Sequence, residues 1–245
     1  MENLSGLTPE EKARLLDLEK SVELDKARPV IKKDFLSFVK YVWPEFIEGS
    51  HHKKINKKFN DLASGKIKRL IINMPPRHTK SEFASYLLPA WMVGLDPRLK
   101  IIQATHTADL AIDFGRKTKN LVDQPNYKQL FDTRLMEDSQ AAGKWKTEQG
   151  GEYFAAGVGG AITGRGADLL IIDDPHKEQD IKKDSKSFDK AWNWYTSGPR
   201  QRLQPGGRIV VVMTRWSTKD ITGQLIKAQG EENSDQWEVV ELPAL

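Results

Sequence analysis

From Lys68 onward, short uninterrupted apolar runs alternate with stretches in which apolar residues recur at helical spacing. The runs are Leu70 to Asn73, Ile101 to Ala104, Leu169 to Ile172, Ile209 to Met213 and Trp237 to Leu242. Such runs mark strands covered on both faces of a parallel sheet, because neither face has to present polar groups to water. The helical period appears in Ser81 to Val93, Ala108 to Val122 and Lys186 to Leu203. The alternation predicts an α/β fold, a doubly wound and mainly parallel central sheet flanked by helices, with ligands at the carboxyl ends of its strands. Glu152 to Ala156 is a candidate hairpin strand beside Gly157 to Gly166, a glycine-rich segment.

The chain before Lys68 reads as helical. Thr8 offers a capping hydroxyl, Pro9 suits the first helical position and Glu11 completes a capping box ahead of Leu15, Leu16, Leu18 and Val22. A second helix is expected over Lys33 to Val42, with Phe35, Phe38, Val39 and Val42 on one face and Trp43-Pro44 ending it. A third covers His51 to Ala63 and stops at Ser64-Gly65. Residues 1–65 are therefore a mainly helical lead into a core of residues 66–245, and without repeats or an evident linker the simplest division is one domain.

Composition narrows the class. Apolar residues make up 38% and charged residues 29% of the 245-residue chain, as in a globular protein with a full core. No apolar run is long enough to span a membrane, and the charged N-terminus lacks the apolar centre of a secretory signal. The absence of cysteine excludes disulfides and thiolate metal sites and is compatible with a reducing cytosol. A net charge of +4 permits a polyanionic partner without demanding one, because 38 basic residues face 34 acidic ones.

Candidate chemistry gathers at the ends of three apolar runs. Arg69 to Ser81, RLIINMPPRHTKS, places a strand directly before a turn ending in Lys-Ser. The usual phosphate loop reads G-x-x-x-x-G-K-[ST]: backbone N–H groups cradle phosphates, the Lys reaches the β and γ phosphates, and the hydroxyl binds Mg²⁺. Lys80 and Ser81 stand at the matching positions, while Met74 and Thr79 occupy the two glycine positions. Ala167 to Pro175, ADLLIIDDP, ends a second run in Asp173 and Asp174; in a nucleotidase one such acid holds the metal and the next orients the attacking water. Asp173-Asp174-Pro175 also signals a plain polar turn. Gly207 to Trp216, GRIVVVMTRW, ends a third run in Thr214-Arg215, placed to sense a γ-phosphate or simply to close a core strand. The acidic run follows the loop by about 90 residues with another strand between, the order of nucleotidases whose acidic strand is not sequence-adjacent to the loop.

The stretches GKIKRLIINMPPRHTKS, THTADLAIDFGRKTKNLVD, GAITGRGADLLIIDDPHK and AWNWYTSGPRQRLQPGGRIVVVMTRWSTKDITGQL, preceded by His51-His52, resemble the ATPase domain of the large terminase subunit, the DNA-packaging motor of tailed bacteriophages. The resemblance implies a RecA-like P-loop NTPase of the class with an additional central strand, using ATP and Mg²⁺. It implies that Lys80 binds β and γ phosphates, Ser81 and Asp173 bind Mg²⁺, and Arg77 supports the phosphates. Pro76, His78 and Thr79 complete the loop. The family commonly has Glu where this chain has Asp174; the shorter side chain makes Glu178 a reserve candidate for the catalytic base. Thr214 and Arg215 match the family's coupling motif. Arg165 is the candidate arginine finger for a neighbouring subunit, against an ordinary loop arginine. His51 and His52 lie where the family has adenine contacts, against a solvated helix start. Relatives commonly have Gly at the position of Thr79, so a modest nucleotide affinity is expected unless the backbone there keeps a negative φ.

The implied partners are double-stranded DNA, a portal protein, a small terminase subunit and further copies in a homo-oligomeric ring, with a monomer when alone and no membrane. The implied location is the cytoplasm of the infected bacterial host. Full-length relatives continue into a nuclease domain, which would begin about where this chain stops. Trp192, Trp194 and Tyr195 read as core or subunit-contact residues rather than stacking platforms. Lys53, Lys54, Lys57 and Lys58, with Lys182, Lys183 and Lys186, read as solvated faces or as lining of a DNA channel. No further His or Cys lies at zinc-ligand spacing. Two alternatives stay open: another RecA-like nucleic-acid translocase or helicase, and a catalytically weak nucleotide-binding module.

Overall fold

The computed structural model describes residues 8–162, 164–177, 186–232 and 234–243. One eight-stranded sheet organises them: β1 (Arg69–Asn73), β2 (Lys100–Thr105), β3 (Leu135–Ala141), β4 (Lys144–Thr147), β5 (Glu152–Gly157), β6 (Ala167–Asp173), β7 (Leu203–Met213) and β8 (Glu238–Glu241), in the order β3-β4-β5-β2-β6-β7-β1-β8. The six strands from β5 to β8 are parallel, and β3 and β4 add an antiparallel edge. All parallel strands therefore end at the same side of the sheet. β7 stands between β1 and β6, whereas β2 to β5, the strands between them in sequence, all lie beyond β6.

Strand residues divide by the two-residue period of the pleat. Leu70, Ile72, Leu169, Ile171, Val210 and Val212 join one core, while Ile71, Leu170, Ile172, Ile209, Val211 and Met213 join the other. The first core is covered by α2 (Phe35–Val42), α3 (Ser50–Ala63), α4 (Leu88–Leu95), α5 (Ala108–Asp123) and α6 (Pro125–Leu130). The second is covered by α7 (Lys186–Ser197) and α8 (Ile221–Ala228). Trp194 and Tyr195 are buried in it, as core residues. Burial on both faces explains why the parallel strands appear as unbroken apolar runs.

The helical lead begins with α1 (Pro9–Lys33), whose capping box joins Thr8 and Glu11 and whose side chains stay at least partly exposed. Asp34 ends α1 and caps α2, accepting from Ser37 N–H at 2.8 Å on one oxygen and from the Asn56 and Asn60 amides of α3 on the other. This clamp fixes α3 against α2 and so places α3 beside the loop after β1. Among the described residues no helix is long and apolar enough to cross a membrane.

Three elements differ from the periodicity reading. Lys186 to Leu203 is not one helix: α7 ends at Ser197, Gly198-Pro199 starts a 3₁₀ turn (Pro199–Arg202), and Leu203 already opens β7. The helix after the loop contains a π turn, Glu82–Leu87, before α4. The β3–β4 hairpin gives no apolar run because β3 is the exposed edge of the sheet and β4 alternates exposed with buried residues.

Candidate functional site

Because β1, β6 and β7 end together, their following residues are forced into one cluster. The loop after β1 spans Met74 to Thr79, with Met74 N–H bonded to the Met213 carbonyl of β7 at 3.1 Å. Lys80 opens the helix that continues through the π turn, so the first N–H groups of that helix face the loop without intrahelical acceptors. Arg77 and Thr79 have φ of 64° and 63°. The left-handed geometry that a glycine would supply is thus present at Thr79, and the negative φ that would have spared this side chain any strain is not. Alternation of this kind turns successive amides toward a common concavity, the geometry of an anion-binding nest. Pro76, Arg77 and His78 are exposed at the crest, and His78 Nδ1 is 2.8 Å from the Pro76 carbonyl.

The acids meet this loop from β6. Ser81 Oγ donates to Asp173 Oδ1 at 3.1 Å, Ser85 Oγ donates to Asp173 Oδ2 at 2.7 Å, and Gln103 Nε2 supports the Ser85 hydroxyl at 3.0 Å. Asp173 is 2% exposed. Burial, with the neighbouring Asp174 charge, pushes its carboxyl up to about 7 against the opposing hydroxyls and Lys80. A buried carboxylate short of positive charge beside a serine hydroxyl is a hard-oxygen donor pair suited to Mg²⁺. Among the described residues no group of three or more acidic, His or Cys ligands forms, so a cation here would take its remaining ligands from water or phosphate.

Asp174, at φ 39°, is the knot of the cluster. Its Oδ2 pairs with Lys80 Nζ at 2.7 Å, its Oδ1 accepts from Thr214 N–H at 2.9 Å, and its own N–H bonds the Val212 carbonyl at 2.9 Å. Thr214 Oγ1 reaches the Met74 carbonyl at 3.4 Å. A cavity of about 450 Å³ opens over this knot, lined by Pro76, His106, Asp174, His176, Lys177, Thr214 and Trp216.

Two expected site residues, Arg215 and Arg165, are bound away from the acids, and a third, His52, lies beneath the loop. Arg215 lines a cavity with Met74 and Pro75 at the start of the loop, but its guanidinium is held by Asp220 at 3.0 Å, the buried cap of α8, and by Glu241 at 3.6 Å. Arg165 pairs with Glu152 and lies over the Phe154 ring at 4.1 Å, at the amino-terminal end of β5 and β6, so it does not reach the cluster of its own chain. His52 is 4% exposed and lies beneath the loop, with Nδ1 on Gly49 N–H and Nε2 on Thr79 Oγ1, both at 2.7 Å. Both ring nitrogens are thus engaged by the protein. Glu178, Lys182 and Lys183 lie outside the described residues. On α3, Lys53 and Lys58 pair with Glu48 and Glu238.

Four site residues escaped the sequence reading. Ser85 carries a signal, a second serine one turn after Ser81; Gln103 carries a weaker one, a single amide inside the run IIQAT. His106 contacts the Asp174 carbonyl at 3.2 Å, and His176 accepts from Ile221 N–H at 3.0 Å, both through packing between distant segments.

No protein-family model and no curated protein sequence matches this chain. Among solved structures it is similar to the crystal structure of the HK97 bacteriophage large terminase, with 12% identity and a TM-score of 0.56. The match covers 86% of this chain and 43% of that one, so the chain spans less than half the length of the phage protein. The α/β sheet with its flanking helices is thus a terminase-like fold.

Proposed function

We propose that this chain is an ATP-hydrolysing motor module, a RecA-like P-loop ATPase of the additional-strand class, serving a phage-type large terminase that moves double-stranded DNA into a procapsid. One observation carries the reading: Lys80, Ser81, Asp173, Asp174 and Thr214 meet at the carboxyl ends of β1, β6 and β7. β7 separates the loop strand from the acidic strand, the order that class requires. A ring of copies, a portal protein, a small subunit and the cytoplasm of an infected bacterium complete the proposal.

The geometry suggests how hydrolysis would run. An incoming triphosphate offers Lys80 a denser negative charge than Asp174, so the 2.7 Å pair opens and Lys80 takes the β and γ phosphates. Arg77, exposed at the loop crest without an ion pair among the described residues, adds charge. Ser81 and Asp173 would hold Mg²⁺, which when bound neutralises phosphate charge. Asp174 Oδ2, released from Lys80, accepts the hydrogen bond of the attacking water. The new bond forms from the water oxygen to the γ-phosphorus as the bridging oxygen leaves with the β-phosphate, and the proton passes to Asp174. Its Oδ1 stays on Thr214 N–H, so loss of the γ-phosphate is felt at the end of β7.

Steady-state phosphate release with Mg·ATP tests the reading. Lys80→Ala is expected to lower turnover on the order of 100-fold or more while the chain remains folded. Hydrolysis that is absent, or that persists without Lys80 at every protein concentration, would leave only a binding or scaffold role.

A further inference from the structure

Thr79 is a β-branched residue at φ 63°, in the position where a phosphate loop normally has glycine. A β-branched side chain at positive φ persists only where its surroundings over-determine it. Those surroundings lie on α3. His52 Nδ1 accepts from Gly49 N–H at 2.7 Å, which leaves the ring proton on Nε2. Nε2–H then donates to Thr79 Oγ1 at 2.7 Å, and the Thr79 hydroxyl donates its own hydrogen to the His78 carbonyl at 2.6 Å. The three bonds run in one direction from α3 into the loop, and each group acts in the only sense left to it.

The ring cannot turn away from this duty. It packs against Phe46 at 4.7 Å and Phe83 at 4.9 Å, and Phe83 belongs to the helix that Lys80 opens. Burial pushes its imidazole down to about 4, which keeps the neutral, single-proton form that this relay needs.

We propose that His52 is a positioning residue of the phosphate loop, holding Thr79 in the backbone conformation of the missing glycine instead of contacting a base. The functional consequence rests on the nucleotide reading above; the strut itself does not. A threonine loop with this strut receives phosphates as a glycine loop does, and without the strut it relaxes toward negative φ and turns its amides out of the nest.

A double-mutant cycle on the whole chain decides it. His52→Phe keeps the aromatic packing and removes both nitrogens, Thr79→Val removes only the hydroxyl, and Thr79→Gly supplies the conformation without help. Calorimetry measures binding of a non-hydrolysable ATP analogue and of inorganic tripolyphosphate, each with Mg²⁺. His52→Phe and Thr79→Val are each expected to weaken both probes on the order of 10-fold, and their combination no more than either alone. In the Thr79→Gly background His52→Phe is expected to change neither. A loss confined to the ATP analogue would assign His52 to the base and overturn the strut, as would an undiminished loss in the glycine background. Without ligand, His52→Phe and Thr79→Val should each lower Tm by about 2–4 °C, and the pair by no more. Additive shifts overturn the strut even if the wild type binds neither probe, a result that would by itself sink the nucleotide reading.

Discussion

Among the described residues three non-glycines hold a positive φ, Arg77, Thr79 and Asp174, and all lie at the one end of the sheet where the loop and the acids meet. Left-handed backbone costs an L-residue about 1–2 kcal/mol, so this strain is a real share of an ordinary stability of about 5–15 kcal/mol. At Asp174 the strain is held by Val212 and Thr214 at the end of β7 and by Lys80 after the loop, and the partner that matters for ligand binding is Lys80. Lys80 is nearly buried against that carboxylate, so a triphosphate has to compete for it before it can be gripped. Asp174→Asn removes the competing charge and keeps an oxygen for Thr214 N–H. The variant is expected to bind a non-hydrolysable ATP analogue about 3–10-fold more tightly, because less is lost in freeing Lys80. Its turnover should fall on the order of 100-fold for want of a base. Titration calorimetry beside steady-state hydrolysis reads both; weaker binding by the variant would show that the pair is not a competitor.

At the scale of elements, the parallel strands were legible because burial on both faces leaves only apolar residues between Leu70 and Asn73 or between Leu169 and Ile172. The β3–β4 edge was not, since Glu137, Asp138 and Gln140 face solvent. Lys80, Ser81, Asp173 and Asp174 could be singled out because chemistry-bearing residues directly follow such strands. The roles of His52 and His176 could not, because each depends on contact across tens of residues. His52 meets Thr79 from α3, and His176, just past β6, accepts from Ile221 N–H at the start of α8. Burial pushes both imidazoles down to about 4, for His176 despite Asp220 and Asp174 nearby. Depressed folded values mean that the unfolded chain binds these protons first. The stabilisation is therefore full above about pH 6.5 and is lost as pH falls toward 4. Between pH 6 and pH 5 each histidine should remove up to ~1.4 kcal/mol per pH unit. Urea unfolding across that range should show the slope, and His176→Asn should reduce it by one histidine's share; an unchanged slope would mean that His176 is not held neutral.

At the scale of the molecule, the parallel sheet separates two ends that the sequence could not tell apart. TGRG before β6 marks a loop, but only the strand register shows at which end its arginine lies. Glu152 pairs in register with Lys100, and Asp173 with Thr105, so about five residues of strand, roughly 17 Å, separate the rows holding Glu152 and Asp173. Arg165 is tied at the first of these rows, by Glu152 and the Phe154 ring, and an arginine there cannot neutralise charge forming beside Asp174 of the same chain. Arg215 is likewise held by Asp220 and Glu241, which leaves Arg77 as the arginine carried by the loop itself. The isolated chain should therefore hydrolyse ATP slowly, and Arg165→Ala should leave that basal rate within about 2-fold of the wild type, because ordering the far end of β5 adds little to transition-state binding. A role for Arg165 in a neighbouring copy's site would appear as a wild-type rate per chain that rises with protein concentration while that of the variant stays flat. It would also appear as recovery on mixing Arg165→Ala with Lys80→Ala, since one variant then lends its arginine and the other its lysine. A drop at high dilution, where no neighbour is present, would contradict the placement of Arg165 at the far end of the sheet.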